Sequence, residues 1–314
     1  MIDEVLPDDA GGADLPRRQA GAAPQNLLVT LLADYGLRHQ GVWWPSAGVV
    51  SLLGEFGVSA TAARATVSRL ARRAVLHISR DGRRTSYQLT PEAAAALTIG
   101  GRRIARFAAD ADSWDGRWTL VAFAGAGDGG NGRRLRARLR WLGYGCVYDG
   151  LWASARADPA FTVASLGESR PVALTVFRSR EVILPEANRS PLDAWDLAGV
   201  AGEYHSFVQE WGWLATQQGE RVRGSQALVA RTRLMDAYRR FPALDPQLPQ
   251  RLMPTGWPRE QARLLFEHGY DRLGERAEAR VREILTAAGL DAPAGLGHHT
   301  VAQLSAREAE VKQI

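Results

Sequence analysis

The chain has 314 residues, 46% of them hydrophobic, a formal net charge of +5 and one cysteine, Cys146. That length implies two or three domains, and the lone cysteine excludes an internal disulfide framework and any multi-cysteine metal site. No apolar run reaches the length of a membrane span, and the acidic start MIDEVLPDDAGGADLP lacks the basic and apolar blocks of a secretory signal, so a cytoplasmic, reduced protein is expected.

Residues 1–23 carry Gly, Ala, Pro and charge without periodicity and read as disordered. Gln25–His39 reads as a helix with Leu28, Leu31, Leu32 and Tyr35 on one face. After the break at WWPS, Pro45 opens a second helix that buries Val49, Leu52, Leu53 and Phe56. Ser59 is a good N-cap for a third helix, SATAARATVSRLARR, whose fifteen residues hold four arginines and no acid. Ala63, Val67, Leu70 and Ala74 form its apolar stripe. Thr61, Ala65, Ser68 and Arg72 lie opposite, flanked by Arg64 and Arg69. In VLHISRDGRRTSYQLT, Leu76, Ile78, Tyr87 and Leu89 alternate with polar residues around Asp81-Gly82, which predicts a hairpin. Thr90-Pro91 caps a fourth helix reaching about Ala109.

Helix, helix, helix, hairpin is the order of a winged helix-turn-helix. Between Ala60 and Arg106 ten arginines stand against Asp81 and Glu92, a net +8 that leaves the rest of the chain at about −3. All the basic residues except Lys312 are arginine, which fits a GC-rich genome, so single arginines carry little weight. Their joint placement on the third helix and hairpin carries more, because it is an electrostatic footprint for a polyanion. Small, hydroxylic and arginine side chains suit a helix that enters the major groove. The residues expected to meet DNA are Thr61, Arg64, Ser68, Arg69, Arg72 and Arg73 on the helix and Arg80, Arg83 and Arg84 on the hairpin.

A second domain is expected over 111–188: a strand at Thr119–Phe123, a helix through NGRRLRARLRWLGYG with Leu135, Leu139 and Leu142 inward, a strand CVYDGLWAS, a short helix Asp158–Leu166 and a strand PVALTVFRS. This alternation predicts a small ferredoxin-like module. Residues 189–289 read as helical, broken at QGERVRGS and FPALDPQLPQRLMPTGWP, with amphipathic stretches Gln226–Phe241 and Arg259–Leu285. Residues 290–314 read as a weakly ordered tail. The expected architecture is therefore a multidomain α+β chain: winged helix-turn-helix (24–110), ferredoxin-like domain, all-α domain.

Chemistry-bearing motifs are weak. GAGDGG, Gly125–Gly130, matches G-x-G-x-x-G with Asp149 about twenty residues on. The next helix is expected only near Arg133, and no parallel βαβ series follows, so a glycine-rich connection is the better reading. A Walker lysine is absent. Glu203-x-His205 lies on a helix, where residues two apart do not face each other. His298-His299 reads as an exposed pair in the tail, and Cys146 as a buried strand residue. Most of the ten tryptophans read as core anchors. No cofactor is expected.

The words LLVTLLADYG, RATVSRLARRAVL, GRRTSYQLT, WDGRWTLV, LRWLGYG with GLWAS, and RTRLMDAYRRFPALDPQLPQRLMPTGWP resemble the PaaX family of bacterial transcriptional regulators, from about Gln25 to about Arg276. The resemblance implies a winged helix-turn-helix, a central domain like the small CRISPR-adaptation nuclease and a helical C-terminal domain. It implies a dimeric repressor, not an enzyme, that binds double-stranded operator DNA and responds to a small-molecule effector; founding members respond to phenylacetyl-coenzyme A. TLVAFAG lacks the acidic residue of the nuclease relatives, and Asp115 reads as a turn residue, so no nuclease is implied. The alternatives are a nucleotide-dependent enzyme using GAGDGG and a metal-dependent nuclease. Each stripe of the first domain is read as needed for its own core. The dimer contact and effector pocket are therefore assigned to the later regions, and a fragment ending near Ala111 is expected to stay folded.

Overall fold

The computed structural model describes residues 23–37, 42–109, 114–124, 130–166, 173–184, 190–288 and 291–306. Residues 1–22, and residues 125–129 of GAGDGG, lie outside them. The chain mixes helix with two antiparallel sheets, and no described helix is long and apolar enough to cross a membrane. Its described residues divide into two compact units, each built from separated stretches: 114–206 with 241–260, and 23–109 with 207–240 and 261–306.

In the second of these units, α1 (Pro24–Gly36), α2 (Ser46–Gly54) and α3 (Ala60–Arg72) precede a hairpin of β2 (Leu76–Asp81) and β3 (Arg84–Leu89). The two-residue turn Gly82-Arg83 has Gly82 at φ 55°, the region open to glycine. The short strand β1 (Trp44–Pro45) adds to the hairpin, with Trp44 opposite Tyr87, giving the order β1-β3-β2. Thr90 caps α4 (Pro91–Arg106) by accepting the Ala93 N–H.

The stripe of α3 differs from its reading at one end. Ala63, Thr66, Val67 and Leu70 are buried, but Ala74 is exposed. The helix has already stopped at Arg72, and Ala74 takes φ 54° while the Ala74 and Val75 N–H groups bond the Ala71 and Leu70 carbonyls. This is a Schellman ending that turns the chain into β2.

The first domain is not self-contained. Leu27, Leu28, Val29, Thr30, Leu31, Leu32, Asp34 and Tyr35 are all buried, so α1 is covered on every side and not on one face. The additional cover comes from α9 (Gly224–Tyr238), α11 (Arg259–Ala287) and the segment after it. Phe107 meets Tyr238 edge-on, Tyr238 stacks on Phe266 at 4.0 Å, and Arg239 donates to the Thr30 hydroxyl. Residues 291–306, read as a tail, are part of this core. Leu296, Val301 and Leu304 are buried, Gly297 N–H bonds the Tyr35 carbonyl, and α12 (Val301–Ala306) packs on α4 where Gly101 leaves room for Leu304. His299 is 3% exposed, and His298 Nδ1 lies 2.6 Å from Glu278 Oε2, so the two histidines are not an exposed pair.

The other unit is built on four strands: β4 (Trp118–Ala124), β5 (Gly145–Tyr148), β6 (Leu151–Ser154) and β7 (Ala173–Ser179). All neighbours are antiparallel, in the order β5-β6-β4-β7. α5 (Gly130–Trp141) and α6 (Pro159–Leu166) contribute Leu135, Leu139 and Leu166 to a core with Val121, Tyr144 and Trp152. CVYDGLWAS is a hairpin and not one strand. Gly150, at φ 88°, makes the turn, and a Cβ there would collide with the Phe123 carbonyl. Cys146 is consequently on an edge strand and exposed. In 241–260, Asp245 accepts from the Tyr204 hydroxyl (2.7 Å), the Gln247 N–H (2.6 Å) and, along one edge of the Arg259 guanidinium, from Nε and Nη2 (2.8 and 2.7 Å).

Candidate nucleic-acid interface

Ser59 starts α3 with its hydroxyl accepting the Ala62 N–H at 3.2 Å, and the buried Thr66 returns its hydroxyl to the Ala62 carbonyl at 2.8 Å. These local bonds and the Ala63–Val67–Leu70 stripe fix which face of α3 turns outward. Thr61, Arg64, Ala65, Ser68, Arg69 and Arg72 are all exposed. On the hairpin Arg80, Arg83 and Arg84 are exposed as well, with Arg80 in register with Thr85 and Arg84 with Asp81.

Among the described residues, the side chains of Arg64, Arg69, Arg72, Arg80, Arg83 and Arg84 make no hydrogen bond or ion pair. Arg69 and Arg72 also sit in the last turn of α3, where a cation complements the helix dipole. That contribution is typically about 0.3–1 kcal/mol and does not account for the three arginines of the hairpin. Six uncommitted guanidiniums on one helix and one hairpin can bind phosphate oxygens or the paired acceptors of a guanine edge.

Arg73 departs from the set. It is half-buried at the C-terminal cap, and its Nη1 lies 3.4 Å from the Gln25 side-chain oxygen, so it ties α3 to α1. The sequence reading missed Glu55, the C-cap residue of α2, which Arg280 of α11 grips at 2.8 and 3.3 Å. Arg280 holds the Glu55 carboxyl below its ordinary range despite partial burial. Partners 225 residues apart leave no local signal.

The enzymatic motifs fare differently. α5 begins at Gly130, three residues earlier than expected, but Gly130 is exposed and a Cβ there would touch nothing, so it makes no close packing of helix on strand. β4, the strand before GAGDGG, pairs antiparallel with both neighbours, whereas a dinucleotide fold needs a parallel sheet. Asp115 is a turn residue: its carboxylate accepts the Arg117 N–H at 3.0 Å and pairs with Arg178 at 3.1 Å.

Three family models match the chain in succession: "PaaX-like protein" over 23–93, "PaaX protein central Cas2-like domain" over 111–189 and "PaaX-like protein C-terminal domain" over 195–283. The transcriptional repressor PaaX of Escherichia coli K12 is 28% identical over 268 residues, covering 82% of this chain and 83% of that protein. Among solved structures, the uncharacterized protein Rv0674 of Mycobacterium tuberculosis aligns with a TM-score of 0.55 at 22% identity, covering 82% of this chain and 98% of that one, which speaks to the fold alone. With its three regions matched in order and a curated relative aligned across most of its length, the chain belongs to the PaaX family.

Proposed function

We propose that this chain is a DNA-binding transcriptional repressor, the role carried by the name of its E. coli relative. In this reading α1 to α3 and the β2–β3 hairpin act as a winged helix-turn-helix, with α3 in the major groove and the hairpin along the phosphates. The observation that carries it is the set of six exposed, unpaired arginines on α3 and the hairpin. Thr61, Arg64, Ser68, Arg69 and Arg72 read bases; Arg80, Arg83 and Arg84 hold phosphates. The order β5-β6-β4-β7, with α5 and α6 contributing to its core, is read as the ferredoxin-like central fold. A homodimer on two half-sites, released by a small-molecule effector of the aryl- or acyl-coenzyme A class, completes the proposal and places the protein with its DNA in the cytoplasm. An enzymatic role is not favoured, since the relative is a repressor and the sheet around GAGDGG is antiparallel.

A footprint of the purified protein on DNA upstream of its own gene and its neighbours tests this reading. A protected site supports it, and uniform weak binding along all fragments opposes it. Replacing Arg64, Arg69 or Arg72 with Ala should cost about 1–3 kcal/mol and relax preference at one base pair. If all three variants keep the parent preference, α3 does not read the bases.

Arg83→Ala or Arg84→Ala should instead weaken binding to all sequences alike, because phosphates carry no sequence information. With six to ten phosphate contacts in a dimer, log K is expected to fall against log salt with a slope of roughly −5 to −9. A salt-insensitive operator complex would contradict the placement of these arginines.

A further inference from the structure

Between Pro24 and Arg73 the sequence has only two acidic residues, Asp34 in α1 and Glu55 at the end of α2. An acid beside a helix that meets phosphates works against their attraction, so charge alone gives Glu55 no role there. The backbone fixes its place. Glu55 N–H bonds the Leu52 carbonyl at 3.2 Å, Gly57 N–H the Gly54 carbonyl at 2.9 Å and Val58 N–H the Leu53 carbonyl at 3.2 Å. Gly57, at φ 78°, reverses the chain, and Ser59 then caps α3. The turn from α2 to α3 is therefore a hydrogen-bonded block, and whatever holds Glu55 holds the first turn of α3.

α3 needs such a hold. Its buried face is Ala63, Thr66, Val67 and Leu70, mostly residues no larger than valine, and small side chains interlock shallowly with their neighbours. Reading bases requires a helix seated to within about 0.5 Å and 10–20°. The hold comes from α11. Arg280 offers one edge of its guanidinium to Glu55, Nη2 at 2.8 Å and Nε at 3.3 Å, and turns Nη1 to Glu283 of its own helix at 3.1 Å. The fork is thus aimed from both sides. With side chains 15% and 30% exposed, this is not the loose surface pair that contributes nothing. α11 is itself a fixed support, because Ala277, Val281 and Leu285, around Arg280, are fully buried. About 15 Å back along its axis, Tyr270 donates to Asp34, the other acid. One helix thus grips both α1 and the end of α2. Arg272 of the same helix directs its bonds elsewhere, to Glu220 of α8 (Gln217–Arg221) and to the Leu214 carbonyl after α7 (Leu197–Trp211).

We infer that Glu55 is a positioning residue for DNA recognition: through it, Arg280 of α11 fixes the seat of α3 in the groove, and neither side chain has to touch DNA. The inference rests on the repressor reading. It gives the later helices a part in sequence preference that needs no bound molecule, since they splint the helix that reads. Its signature is the direction of the effect. If charge is all that matters, removing the Glu55 carboxylate strengthens binding to every duplex; if the clamp matters, removing it weakens binding to the operator alone.

The test uses the full chain, the duplex protected in the footprint and a scrambled duplex of equal length, with dissociation constants read by fluorescence anisotropy at fixed salt. Glu55→Gln, which keeps an acceptor oxygen, and Arg280→Gln should each lower the ratio of operator to scrambled affinity about tenfold, and the double variant should lose no more than either single one, because neighbours that act as a pair are not additive. Arg280→Lys keeps the charge without the two-pronged grip and should still lower the ratio, so the test stands even where a Gln variant misfolds. Arg272→Gln, which breaks the pair with Glu220 on the same helix, should keep the parent ratio, and thermal unfolding of every variant reports the change in stability by itself. A parent ratio in Glu55→Gln, Arg280→Gln or Arg280→Lys overturns the inference. So do losses that add in the double variant, or a ratio that follows the melting temperature through Arg272→Gln. A parent chain that protects no site in the footprint overturns the repressor reading and this inference with it; a protected site whose preference survives the substitutions overturns the inference alone.

Discussion

A fragment ending at Ala109 is expected to show no cooperative thermal transition and no near-ultraviolet circular dichroism of packed aromatic residues. Cutting there removes Tyr238 from Phe107, the Leu304 side chain from Gly101, the Ser305 carbonyl from Arg106 and Arg280 from Glu55. It strips α1 of Arg239 at Thr30 and of Arg231 and Tyr270 at Asp34. Returning a buried Leu, Val or aromatic side chain to water costs about 1.5–3 kcal/mol, against a typical total stability of about 5–15 kcal/mol. Losing several such contacts together with the partners of a buried carboxylate exceeds what so short a segment holds. A fragment that melts cooperatively with the far-ultraviolet signal of its helices would show that the first helices and hairpin carry their own core. Loss of operator binding by this fragment therefore says nothing about where the proposed dimer contact lies.

What was legible in the sequence follows the range of the interaction that decides it. Ser59, the stripe Ala63–Val67–Leu70, the Asp81-Gly82 turn and Thr90-Pro91 are local signals, and the elements they mark stand where the pattern puts them. CVYDGLWAS carried the same Asp-Gly signal as the first hairpin, and the turn was missed because its flanking apolar residues run together into one apparent strand. Periodicity named one face of α1 correctly but not its remaining burial, because Leu27 and Val29 are ordinary interior residues whose cover arrives some two hundred positions later. Residues 291–306 failed for a related reason. A six-residue helix flanked by Gly and Pro has no period to read, and Leu296, Val301 and Leu304 gain their meaning only from α1, α4 and α11. Within the candidate interface the exposed arginines were legible from the helical wheel, whereas the position of Arg73 depends on Gln25 and that of Glu55 on Arg280.

Replacing Arg231 is expected to be among the most destabilising single changes in the chain. Its side chain is fully buried, and nothing in the α9 pattern distinguishes it from exposed arginines. The guanidinium lies 3.7 Å from the centre of the Tyr270 ring, donates to the His299 carbonyl at 2.7 Å and the Tyr270 carbonyl at 3.2 Å, and faces Asp34 at 3.6 Å. Asp34 in turn accepts the Tyr270 hydroxyl at 2.8 Å. This one side chain thus joins α1, α9, α11 and the segment before α12. Burial pushes the Asp34 carboxyl above its ordinary 3.8, while Arg231 and the Tyr270 hydroxyl pull the other way. Arg231→Met leaves that carboxylate buried without its counter-charge, a loss of about 3–5 kcal/mol in chemical denaturation. The sign of the pH dependence follows. With the folded-state pKa of Asp34 driven further above its unfolded value, the variant is penalised for ionising the group, so its deficit should be small near pH 4 and grow as pH rises to about 7. Adding Asp34→Asn should return much of the loss and flatten that pH dependence, because no charge is then left unpaired. If Arg231→Met costs less than about 1 kcal/mol at neutral pH, or if the double variant is no more stable than the single one, the ion pair is not what holds α1 to the later helices.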